Sequence, residues 1–510
     1  MFYHGTAYSP PAAKWPGWLF YAAVEFNPQN PFWTDFGKLN QYTARAQSFL
    51  QAGQPSNDVL LYLPQSDAYT RPGKVLLQHF GGIEHGFKGL PVAATSELLL
   101  SKGYGYDFIS DKQVQQVKAT GSTLVTSGGA RYRTLLVPDA HLMPLPTLES
   151  LLRLAQGGAT IVLEHQAPAD VPGLGSLASR RAAFKKLLAQ LQFGAAKGGV
   201  RQAALGKGRV LLGSDVPALL AQAGVRRETL ADQGLQFMRR RHAKGHTYFL
   251  ANWGEKPYAG WITLQTAAKS SALYNPMTEQ TGLARLRTTT QGLPEVYVQL
   301  NPGETCILDT NEGTLTGPAY PYLNVAAVPR PLQNAWDVSF ISGGPELPAK
   351  LQTKELASWT TLAGDAGRKF SGTATYTTTF AQPQGPGDGF LLDLGRVAQS
   401  ARVQLNGQPV GTLLGPVYQV FLPKAQLRAS NTLTVTVSNL MANRIEEMDR
   451  NHVDWKIFYN TNMPAKLKEN RGADGLFTTE KWTPLESGLL GPVTLTPASV
   501  GAPTSFIKLP

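Results

Sequence analysis

One cysteine, Cys306, stands in 510 residues. No disulfide can form within the chain, so redox chemistry does not fix its compartment. Cys306 lies in the short apolar run ETCILD, where a buried strand position is expected. No apolar run reaches the ~18 residues of a membrane span. No basic-then-apolar leader opens the chain. Charged residues are few, at 16%, beside a hydrophobic content of 42%, which is the balance of an ordinary globular protein. The formal net charge of +12 is dispersed, and its densest spots are Arg180-Arg181 and Arg239-Arg240-Arg241. Dispersed basic charge serves solubility, and a nucleic-acid partner is not expected.

Turn-formers are plentiful: 51 Gly and 36 Pro point to β-rich modules, and the length suggests three or four domains. The most informative stretch is 4–33, HGTAYSPPAAKWPGWLFYAAVEFNPQNPFW. Prolines 10, 11, 16, 28 and 31 break any long helix or central strand there. His4, Glu25, Asn27 and Asn30 are interleaved with the rings. Rings stack on the apolar faces of sugars while His, Glu and Asn read hydroxyls, so a carbohydrate-facing surface is the expectation, with a plain core segment as the alternative.

This run, with LNQYTARAQSFLQAGQPSNDVLLYLPQSD, KGYGYDFISD and VSNLMANRIEEMDRNHVDWKIFYN, resembles glycoside hydrolase family 106, the α-L-rhamnosidases. The resemblance runs along most of the chain. It implies inverting hydrolysis of terminal rhamnose in oligo- or polysaccharides, a periplasmic or secreted setting, and a link to calcium whose ligands cannot be assigned here. Inversion requires two carboxyls about 6.5–9.5 Å apart, with water between the base and the sugar. In the family both catalytic glutamates precede the HGTAYSP run, near the end of a (β/α)8 barrel. Here the run, as FYHGTAYSP, begins at residue 2, and no position matches either glutamate. The expectation is therefore a truncated rhamnosidase, inactive alone. A non-catalytic carbohydrate-binding or scaffold protein is the alternative.

Four modules are expected. Residues 1–54 read as the C-terminal remnant of the barrel. It ends in a helix that Asp35 can cap and Gly53 can stop. A remnant cannot close its own sheet, so it must pack on neighbouring domains or stay loose. Residues 55–225 alternate apolar strands (59–63, 106–109, 134–137, 159–163, 209–212) with helices, which implies a parallel sheet covered on both faces. The segment GGARYRTLLVPDAHLMPLPTLESLLRLAQGGATIVLEH resembles class I amidotransferase-like domains. It lacks the nucleophilic cysteine such chemistry needs, which leaves His141 and His165 without a nucleophile to serve. Residues 226–316 read as a small β-sandwich and the Pro-rich 317–335 as a linker. Residues 336–500 resemble a galactose-binding-like jelly-roll, with Asn406-Gly407 as a hairpin turn.

The candidate substrate-binding residues are His4, Tyr8, Trp15, Trp18, Glu25, Asn27, Trp33, Glu84 and His85. The resemblance places His4 after a barrel strand, where active-site groups gather; a satisfied core histidine is the alternative. Trp15, Trp18 and Trp33 are stacking candidates, at least one of them expected in the core. Glu25 is a hydroxyl acceptor or metal ligand on one reading and a structural ion pair on the other. Glu84 and His85 share the Gly-rich loop FGGIEHGFKG, and loops carry function out of proportion to their length. The pair by itself does not make a metal site, and His4, His79 and His85 match no zinc spacing. Glu446, Glu447 and Asp449, with Arg444 and Arg450, form either a solvated charged loop or part of a wall beside the site.

Overall fold

A computed structural model describes residues 3, 5, 8–18, 26–70, 87–325, 327–456, 465 and 467–502. The chain divides into two compact units. One comprises 1–47, 276–280 and 319–510; the other comprises 48–275 and 281–318.

In the second unit, apolar strands build a six-stranded sheet ordered Tyr106–Ile109, Val59–Tyr62, Thr134–Val137, Thr160–Glu164, Gly208–Gly213 and Arg201–Leu205. The first five are parallel, and the last returns antiparallel. Successive strand side chains point to opposite faces, and both faces are buried here. Leu60, Tyr62, Leu135, Val137, Ile161 and Leu163 meet the helices Leu145–Gln156 and Leu177–Leu188 through Leu148, Leu151 and Phe184. Val59, Leu61, Leu136 and Val162 meet Pro91–Ser101 and Val216–Gln222 through Val92, Leu99 and Leu219. The apolar runs therefore form parallel strands covered on both sides. The edge strand Arg201–Leu205 is not evident in the sequence because its alternate residues remain in solvent.

The same unit holds an antiparallel sheet around the hairpin Leu235–His242 and Gly245–Asn252, joined by Thr305–Asn311 and Ser270–Tyr274. A three-stranded sheet, Tyr258–Thr263, Pro294–Leu300 and Leu286–Thr288, accompanies it. Cys306 is buried on Thr305–Asn311.

In the first unit, two antiparallel sheets share one core. Trp336–Gly344, Ser371–Ala381, Ser430–Ser438 and Ser400–Leu405 supply Val338, Tyr376, Val435 and Val403; Gly389–Asp393, Gln419–Pro423 and Thr494–Gly501 supply Phe390, Leu422 and Leu495. Asn406 and Gly407 both take positive φ, as the two-residue turn between Leu405 and Gln408 requires. The Pro-rich stretch read as a linker carries two short strands, Tyr322–Val325 and Arg330–Pro331, both paired with Thr494–Gly501. Buried Tyr322 anchors it, so tertiary pairing overrides its turn-rich composition.

Among the described residues, no helix is long and apolar enough to cross a membrane.

Candidate functional site

The helix Trp33–Gln51 begins one residue before Thr34 and two before Asp35. Asp35 does not cap it. It lies inside the first turn, buried, where it accepts a hydrogen bond from Ser400 Oγ at 2.5 Å and pairs with Arg402 Nε at 3.4 Å. Asn30 takes the turn before the helix, its Oδ1 accepting from Phe32 N at 3.0 Å. A buried carboxylate gains more from a hydroxyl and a guanidinium than from a solvated cap, so Asp35 pins the aromatic segment to the two-sheet core of its own unit. Phe36 stacks on Phe26 at 4.5 Å and on Trp33 at 5.8 Å.

Within this segment the candidate rings separate into two kinds. Trp15 is held: Nε1 donates to Gln29 O at 3.2 Å, and the Arg444 guanidinium lies 4.0 Å over its ring. Gly344 leaves room for that guanidinium, since a Cβ there would sit 2.4 Å from an Arg444 nitrogen. Burial pulls Arg444 below the usual arginine pKa. Tyr8, Trp18 and Trp33 are exposed by 74%, 38% and 43%. Trp18 N donates to Ser9 Oγ at 3.2 Å, and Asn27 closes a local turn by accepting from Gln29 N at 2.9 Å. His4, Glu25, Glu84 and His85 lie outside the described residues.

Arg444 belongs to a helix, Ala442–Arg450, where the sequence suggested a solvated loop as one reading. The physical reason is periodicity: Asn443, Glu446 and Asp449 recur every three residues, fall on one face, and are buried together. Asp449 accepts from Trp455 Nε1 at 2.5 Å, Thr479 N at 2.8 Å and Thr479 Oγ1 at 2.9 Å, and pairs with Lys456 at 3.2 Å. Asn443 bridges to Leu485 and Ser487. Glu446 pairs with Arg450 one turn on, and neither carboxylate oxygen has a further hydrogen-bond donor among the described residues. Of this helix, Arg444 is the residue that meets Trp15. The sequence shows both residues; their meeting has no local signal.

In the other unit, Glu228 is 1% exposed and accepts from Arg239 Nη1 at 2.7 Å, Tyr248 OH at 2.9 Å and Gln265 N at 3.0 Å. It is a buried charged knot. At the carboxyl edge of the parallel sheet, burial pushes Glu164 up while the hydrogen bond from Thr95 Oγ1, at 2.6 Å, opposes it. His165 follows at φ 60° and donates its N–H to Gly213 O at 2.7 Å. The chain's only thiol is Cys306, buried on a strand of the antiparallel sheet, and burial raises its pKa to about 12. Among the described residues, no three His, Cys, Asp or Glu side chains converge as metal ligands, so none is assigned to calcium.

A family model described as alpha-L-rhamnosidase matches residues 1–286. A solved rhamnosidase from Novosphingobium sp. PP1Y is similar at 26% identity and a TM-score of 0.67, over 93% of this chain and 42% of that one. A curated protein of Formosa agariphila named "Putative beta-glucuronidase" is 32% identical over 259 residues, 46% of this chain and 21% of that protein. The chain thus spans less than half the length of either.

Proposed function

Because this chain belongs to glycoside hydrolase family 106, the α-L-rhamnosidases, we propose that it carries a sugar-facing and accessory part of an inverting rhamnosidase and does not hydrolyse rhamnosides by itself. The observation that carries this reading is the state of the carboxylates buried among the described residues. Asp35, Glu228 and Asp449 are engaged by hydroxyl, guanidinium, indole or backbone donors, and Glu446 is held by Arg450. Direct displacement by water needs one carboxyl free to activate that water and a second free to protonate the leaving group. Carboxylates committed to structural partners do neither.

In this reading Tyr8, Trp18 and Trp33 are the stacking surface, Trp15 is a positioning residue held by Arg444, and Asn27 shapes the turn between them. His4 and Glu25, from the aromatic stretch, and Glu84 and His85, from the separate loop FGGIEHGFKG, are proposed as further sugar contacts. The parallel-sheet module is an amidotransferase-like domain without chemistry, since residues 55–225 contain no cysteine. The two-sheet module of 336–500 is a galactose-binding-like jelly-roll. The substrate class is a rhamnose-containing oligo- or polysaccharide, met in the periplasm or outside the cell. A non-catalytic carbohydrate-binding protein is the second reading, favoured by the exposed rings.

The test is release of the aryl group from an aryl α-L-rhamnoside by the purified chain at high concentration. No turnover is expected. Robust turnover lost in Glu25→Gln would overturn the proposal and make Glu25 catalytic.

A further inference from the structure

Trp253 directly follows the strand Gly245–Asn252, and its side chain is 68% exposed. The backbone under it has little freedom. Trp253 N donates to Gly234 O at 3.1 Å, and Gly254 N donates to Asn252 Oδ1 at 2.9 Å. Asn252 is itself buried, and its Nδ2 donates to Lys256 O and Leu300 O, both at 2.9 Å. Asn252 N donates to Glu304 O at 3.0 Å, and Gly303 N to Asn252 O at 2.8 Å. Gly234, at φ 79°, approaches so closely that a Cβ there would lie 3.3 Å from Gly254 Cα. The turn is thus tied from its buried side, and the Trp253 ring belongs to neither apolar cluster of its unit.

An indole gains more from burial than almost any other side chain. Here it is left in water on a backbone that cannot fold it in. Neighbouring Glu255 and Lys256 are exposed and polar. The exposed fraction corresponds to roughly 170 Å², taking about 250 Å² for a whole indole. A stable contact with a second protein needs about 800 Å² on each partner, so one ring among charged neighbours does not supply a dimer face. A single sugar ring fits this setting: its C–H face covers one indole, and its rim hydroxyls require polar groups alongside.

We propose that Trp253 is a fixed stacking platform for a sugar ring of a glycan, with Glu255 and Lys256 positioned to meet the ring's hydroxyls. The proposal rests on the glycan-directed reading above. Its rigidity matters, because a platform held in place loses little conformational freedom on binding.

The test is affinity electrophoresis of the full chain in native gels with and without rhamnogalacturonan, a rhamnose-containing polysaccharide. The wild-type chain is expected to be retarded. Trp253→Ala should weaken the apparent affinity roughly tenfold, by analogy with ring stacking on nucleic-acid bases, and Trp253→Phe should restore part of it. The Ala variant should unfold at the same denaturant concentration as wild type, because the ring is exposed. An unretarded wild type overturns the proposal. So does retardation equal in wild type and Trp253→Ala, which would leave a glycan-binding chain whose site is elsewhere. Self-association of wild type that is lost in Trp253→Ala would also overturn it. Turnover of the aryl rhamnoside, by contrast, breaks the functional reading and leaves this site standing.

Discussion

Replacing Arg239 by Met probes the charged knot most directly. Arg239 lies in the strand Leu235–His242, with Nη1 on Glu228 Oε1 at 2.7 Å, Nη2 on Asp58 Oδ2 at 2.9 Å and Nε on Ser56 O at 2.9 Å. Burial works against its charge, but Tyr248, Glu228 and Asp58 outweigh it and hold its pKa above the usual arginine value. Burial pushes Glu228 in the unfavourable direction, and Arg239 is the main counterweight. Arg239→Met keeps a side chain of similar reach and strands a buried carboxylate without its cation. Breaking a buried pair from one side costs about 3–5 kcal/mol, which in a unit of this size lowers Tm by roughly 6–20 °C. Adding Glu228→Gln to Arg239→Met removes the stranded charge and should recover at least about 1 kcal/mol. Urea unfolding read by pulsed alkylation of Cys306 reports this unit alone, since that buried thiol is the chain's only one and lies on a strand of the same unit. A loss under about 1 kcal/mol for Arg239→Met, or a double variant no more stable than the single one, would refute the reasoning.

Two further outcomes follow from the same kind of bookkeeping. His246 is pulled down to about 4, first by burial and then by Arg239, His242 and Arg241, and its Nδ1 has no hydrogen-bond partner among the described residues. An unfolded histidine titrates near ~6.5, so between about 4 and ~6.5 the unfolded chain binds more protons and stability falls as pH is lowered. His246→Gln should flatten that slope in urea midpoints measured across the window, and an unchanged slope would remove His246 from the account. Asp35→Ala should destabilise the first unit by about 1–3 kcal/mol, because Ser400 and Arg402 lose a buried acceptor. Limited proteolysis should then cut within Trp33–Gln51 sooner than in wild type, and equal cleavage rates would contradict the anchoring role.

The sequence alone determined what depends on local pattern. Apolar runs of four or five residues between amphipathic stretches pointed to parallel strands with both faces covered, because strands buried on both sides read as near-continuous apolar runs. Asn406-Gly407 specified its hairpin turn because few other residue pairs take positive φ twice in succession. The absence of a second cysteine settled the disulfide question, and the aromatic run at 4–33 pointed to sugars through residue chemistry. Tertiary structure decided what depends on partners distant in the chain. Asp35 looks like a helix cap until Ser400 and Arg402 arrive beside it. The stretch 317–335 reads as a linker until Thr494–Gly501 offers it a strand edge. Trp15 and Trp18 are equivalent in sequence, but Arg444 covers only the first. Trp253 carries no signal at all as one ring in an apolar run; its exposure follows from how Asn252 and Gly234 tie the turn below it. Hydrogen bonds and ion pairs between segments far apart leave no periodicity to read, so only the fold reveals which polar residue is a structural pin and which ring stays exposed.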